Sequence, residues 1–141
     1  MFTADSFRAL VESFQFEEER RRAEGRRAAM ALHSQRMREL AERRLTDSEW
    51  RAKLNGAQRS AAQGLKEFML IRFPSQLCSD SGRAINAPDS SWPNTLRGEP
   101  ADVFQRWRME LQPHGFRLAA QIVDFPDGVP GDAALFLLWC A

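Results

Sequence analysis

Cys78-Ser79-Asp80, with Gly82-Arg83 and Asn86 just beyond, is the stretch of this chain most like part of an enzyme. A loop thiol among polar groups is a potential nucleophile, but it attacks as thiolate, and making thiolate requires a base within reach. The chain holds two histidines, and of these His114 is the one that folding could bring to the thiol. Neither His33 nor His114 has a Cys, Asp or Glu at metal-ligand or triad spacing. His114 lies between Pro113 and Gly115, where an imidazole can cap the last carbonyls of a helix, and His33 lies in a polar helical stretch. Asp124, Asp127 and Asp132 surround a turn rich in Pro and Gly. Their spacing fits no calcium loop, and Asp beside Gly is what a turn itself requires. Cys78 and Cys140 form no ligand pair and no disulfide framework, and no GxGxxG or GxxxxGK[ST] pattern cradles a phosphate. The chain therefore reads as non-enzymatic, with no catalytic residue, no metal and no cofactor.

Arginine is the other residue type with chemistry to offer. Between Arg20 and Arg44 stand 9 basic residues against 3 acidic ones, among them Arg20, Arg21, Arg22, Arg26 and Arg27. Guanidinium groups along a helix can follow a phosphate backbone or meet an acidic partner. No aromatic residue interleaves the run for base stacking, and the chain as a whole has a net charge of only +1. Glu17, Glu18 and Glu19 stand three or four residues before Arg20, Arg21 and Arg22, so ion pairs within the helix compete for the same groups.

These residues need elements to carry them. From about Asp5 to Arg44 there is no Pro, a single Gly at position 25, and abundant Ala, Glu, Arg, Leu and Met, which predicts one long helix. Its apolar side is discontinuous. Phe7, Leu10, Val11 and Phe14 form one cluster and Met30, Met37, Leu40 and Ala41 another, with the charged stretch between them. Strict heptads are not sustained, so a long regular coiled coil is not expected. Thr46-Asp47-Ser48-Glu49 is a capping box, flanked by Leu45 and Trp50 as a hydrophobic staple, and starts a second helix at Asp47. Phe68 to Phe73 is a short apolar strand stopped by Pro74, and a long loop rich in polar residues, Gly and Pro follows to Gly98 with Trp92 as its anchor. Glu99-Pro100 opens a third helix, and Phe116–Phe125 and Ala134–Trp139 form a terminal hairpin.

The fold expected is α+β: a long N-terminal helix and a second helix, then a small three-stranded mixed sheet with one crossover helix and a C-terminal hairpin. Within it, the Phe68 and Phe116 strands are expected to be parallel if they are neighbours. Residues 1–45 are expected to form an Arg-rich helical arm and residues 46–141 a compact domain. The charge divides in the same way. From Met1 to Arg72 there are 15 basic and 11 acidic residues, and from Phe73 to Ala141 there are 5 and 8. The start of the chain has no basic segment followed by an apolar one, and the longest apolar run, Ala133 to Ala141, is far below the roughly 20 residues of a membrane span, so a cytoplasmic protein without membrane contact is expected.

Such a plan suits a protein that acts by contact. The expected partner is a larger protein or a second copy, held by Phe7, Leu10, Phe14, Met30 and Met37 as apolar anchors, with Arg20, Arg21, Arg22, Arg26 and Arg27 as a charged rim. The alternative is a nucleic-acid-binding regulator, such as one carried by a mobile element, that sets the same arginines against phosphates.

Overall fold

The computed structural model describes residues Phe2–Cys140. Helix α1 spans Ala4–Glu42 and is followed by α2 (Asp47–Ala62), strand β1 (Glu67–Pro74), a one-turn helix α3 (Arg83–Asn86), α4 (Gly98–Arg106), β2 (Arg117–Ile122) and β3 (Asp132–Leu138). Among the described residues no helix is long and apolar enough to cross a membrane. The chain divides into two compact units, residues 2–36 and residues 37–140.

The first unit is the greater part of α1. Its start is capped reciprocally: the Ser6 amide donates to Thr3 Oγ1 at 3.0 Å, and the Thr3 amide donates to Ser6 Oγ at 3.3 Å. Two N-terminal groups that a helix leaves without internal partners are thus engaged, and the helix begins one residue earlier than composition predicts.

The second unit holds the core. Its entry is the predicted capping box, with the Glu49 amide donating to Thr46 Oγ1 at 3.1 Å and Glu49 Oε1 accepting from the Thr46 amide. The staple closes with it, since Leu45 and Trp50 are both buried. The connector before α2 is tied to α4: the Leu45 amide donates to Asp102 at 2.9 Å, and Arg106 reaches both the Leu45 carbonyl and Asp47. Helix α2 ends where Gly64 turns left-handed at φ +86°, with the Gly64 amide bonded to Ala61 and the Leu65 amide to Ser60, a double closure that satisfies the last carbonyls. Met37 and Leu40, in the last turns of α1, pack against the core of this unit.

The α+β class is as expected, and the strands are arranged differently in detail. The sheet order is β1-β3-β2 and both pairings are antiparallel. β1 and β2 run in the same direction, as a crossover through α4 requires, but they are not neighbours, because β3 lies between them. The reason is burial. β3 carries the run Ala133-Ala134-Leu135-Phe136-Leu137, whose first three residues and Leu137 are fully enclosed, and a strand that apolar is best satisfied with a partner on each edge. The hairpin supplies β2 on one side, with Arg117 opposite Leu138 and Ile122 opposite Ala133. β1 closes the other side, with a register shift between Met69 and Ile71.

The long segment between β1 and α4 is a packed flap. Leu77, Cys78, Ile85 and Leu96 enter the core from it. Asp80 accepts from the amides of Gly82 and Ala84 at 3.0 and 2.8 Å, which starts α3. Trp92 meets Phe104 of α4 edge to face with ring centroids 5.8 Å apart, the anchoring role expected of it.

Candidate interaction site

Cys78 lies in the core, and Asp124 and Asp132 are engaged by Arg72. Cys78 is 3% exposed, and burial pushes its thiol pKa upward, away from the thiolate a nucleophile needs. Asp124 and Asp132 converge on Arg72, whose Nε lies 2.8 Å from Asp132 and whose terminal nitrogen lies 3.3 Å from Asp124. The Asp132 amide also donates to Asp124, so the two carboxylates join β1 to the β2–β3 turn. Among the described residues no group of three His, Cys, Asp or Glu side chains is placed to hold a metal ion.

The surface of α1 is of another kind. No residue of this helix is buried among those described. Phe7, Leu10, Val11 and Phe14 recur at helical spacing, so they share one stripe, and they are 55%, 68%, 55% and 65% exposed. Phe2 extends that end, its ring edge-on to Phe7 with centroids 6.0 Å apart. Phe16, Met30 and Leu32 are exposed as well. So many large apolar groups open to water on one helix are unusual for a monomer's surface.

Charges border the stripe. Arg20 pairs with Glu17 at 2.8 Å and Arg21 with Glu18 at 3.5 Å, both across three residues of the helix. All four side chains keep a third or more of their surface in water, so such pairs add only a few tenths of a kcal/mol to the helix. Arg22, Arg26 and Arg27 are exposed beside them.

Of the sequence-predicted contact residues, Phe7, Leu10 and Phe14 lie together on one stripe, Met30 is exposed further along the same helix, and the five arginines are exposed between these regions. Met37 differs. It is half-buried against the core of the second unit, one turn before Leu40, which is seated in the same way.

A second feature had no signal in the sequence. Leu54, Ala57 and Ala61 of α2, together with Leu111, Phe116, Leu137 and Trp139, line an apolar groove of about 490 Å³. The short side chains of α2 leave the space, and the other walls come from residues far apart in the chain. Comparison with protein-family models, curated proteins and solved structures finds no match to this chain.

Proposed function

We propose that this protein is a non-enzymatic contact protein that uses the apolar stripe of α1 to associate with another protein surface, either a different chain or a second copy of itself. The observation that carries the reading is the exposure, by more than half, of Phe7, Leu10, Val11 and Phe14 on one side of one helix. Full burial of such side chains is worth about 1.5–3 kcal/mol each, so covering the exposed part returns about 1 kcal/mol apiece. Four residues then contribute ~4 kcal/mol, at the low end of what association costs, so a lasting complex needs more contact than this stripe alone. The arginines beside it supply charge for steering and orientation. Phosphate tracking is the weaker reading, because Arg20 and Arg21 are already matched to Glu17 and Glu18, and the large exposed groups are aliphatic and aromatic.

The test is the full-length protein against the triple variant F7S/L10S/F14S. Circular dichroism should be unchanged, because these side chains are in water in the free chain. Association, followed by light scattering for self-assembly and by surface capture for other proteins, should fall at least tenfold. Association that survives the triple variant refutes the proposal.

A further inference from the structure

The arrangement of residues along α1 identifies a partner. In an α-helix eighteen residues make five turns, so positions eighteen apart point the same way. Gly25 therefore repeats the direction of Phe7, Ala28 that of Leu10, Ala29 that of Val11, and Leu32 that of Phe14. One face thus carries a bulky half followed by a mostly small half, with Glu18 and Arg21 between them on the same side. At Gly25 a Cβ would meet nothing within 4 Å, so the free chain has no packing reason for a glycine that weakens the helix interior.

We infer that α1 pairs with α1 of a second copy of this chain, antiparallel, about a dyad lying between residues 19 and 20. The inference rests on the reading of α1 as a contact surface and names the occupant. In that register Phe14 lies over the second copy's Gly25, Leu10 over its Ala28 and Val11 over its Ala29, so large groups meet small ones at these three places, while Phe7 lies beside its Leu32 and closes each end of the seam with two large groups. At the centre Glu18 faces Arg21 of the other copy, and the dyad repeats that pair. Both now form an intrahelical contact at 3.5 Å, and in the pair each gains an opposite charge across the seam. From Phe7 to Leu32 the contact runs about 38 Å. Each copy contributes its own stripe, which supplies the additional contact that one stripe lacks.

The same residues disfavour the alternative. In a parallel pair in register, Phe14 meets Phe14, Glu18 meets Glu18 and Arg21 meets Arg21, while Gly25, Ala28 and Ala29 leave the other half unfilled. Charges in a seam reduce affinity but select register and orientation, a known use of polar seam residues in paired helices.

The full-length chain should show twice its 16.1 kDa mass in light scattering. E18R gathers four arginines at the centre of the seam and R21E four glutamates, so each variant alone should weaken the dimer at least tenfold. An equimolar mixture of the two should restore it. Mixing cannot repair the intrahelical Glu18–Arg21 contact in either chain, so the rescue reports contact between copies and not helix stability. Orientation is read from a spin label at A4C with the exposed Cys140 changed to Ser and the buried Cys78 left in place. The two labels should lie about 45 Å apart along the seam if it is antiparallel, and within about 20 Å if it is parallel.

A monomeric mass, a dimer indifferent to E18R and R21E, or a short distance between labels overturns the antiparallel pair. If the chain is monomeric yet captures another protein in a way that F7S/L10S/F14S abolishes, self-pairing falls while the contact reading stands. If association persists in F7S/L10S/F14S, both fall.

Discussion

Gly98 rests directly on the backbone of Ala41: a Cβ at Gly98 would lie 2.6 Å from Ala41 Cα and closer still to the Leu40 carbonyl oxygen. The last turn of α1 is thus held against the start of α4, where Gly98 adopts φ +60°. The same contact seats Leu40 against the core. Both the approach and the dihedral demand glycine.

Gly98→Ala is therefore expected to be among the most damaging small substitutions in the chain. It combines a left-handed backbone with a backbone clash that no side-chain rotation relieves, and a loss of about 2–4 kcal/mol is expected. The check is chemical denaturation of both proteins. A change below about 0.5 kcal/mol would show that the end of α1 is free to move away from α4. Gly25→Ala, with open space around the position, should instead leave the free chain as stable or slightly more stable.

Thr46→Ala removes the side-chain acceptor at the start of α2 and should cost about 1 kcal/mol, within the range for N-caps. It should also alter a titration. The Thr46 hydroxyl, first among the causes, together with the Thr46 amide and Arg43, holds the Glu49 carboxyl below its ordinary pKa. A carboxyl whose folded pKa is depressed adds stability above its unfolded pKa and loses it as pH falls through the folded value. The wild-type protein should therefore lose this contribution on acidification below the ordinary carboxylate range, and Thr46→Ala should lose less over that window. Carboxyl-resolved NMR titration should show Glu49 moving up toward its ordinary value in the variant. An unmoved Glu49 would rule out the hydroxyl as the main cause.

The two thiols should differ in reactivity. Cys140 is exposed, whereas Cys78 is buried and its pKa is raised by that burial. Alkylation at mildly basic pH, followed by mass spectrometry, should modify Cys140 at once and Cys78 at least tenfold more slowly, with the gap closing in denaturant. Fast modification of Cys78 in the folded chain would restore the nucleophile reading that its burial argues against.

Local features were legible in the sequence because their causes are local. The start of α2 follows from Thr46 and Glu49, whose side chains bond the amides within their own turn. The length of α1 follows from an absence of Pro and a wealth of helix formers, and the ion pairs of Glu17 and Glu18 follow from three-residue spacing. The Phe7–Phe14 stripe was also legible, from its three- and four-residue spacing, whereas its exposure was decided only by the fold.

Other features depend on which distant segments meet, and no short window contains that. The position of β3 between β1 and β2 was settled by competition for its two edges, since the most apolar strand gains most from the centre. Met37 resembles Met30 in sequence, yet Met37 is half-buried against the core of its own unit and Met30 is 69% exposed. The burial of Cys78 and the groove beside Trp139 belong to the same class. Sequence by itself determined the helical rod, its charges and the placing of Phe7, Leu10, Val11 and Phe14 on one stripe, all set by neighbours within a turn or two. Tertiary structure alone decided strand order, the burial of Cys78 and the seating of Met37, because those depend on residues far apart in the chain sharing one space.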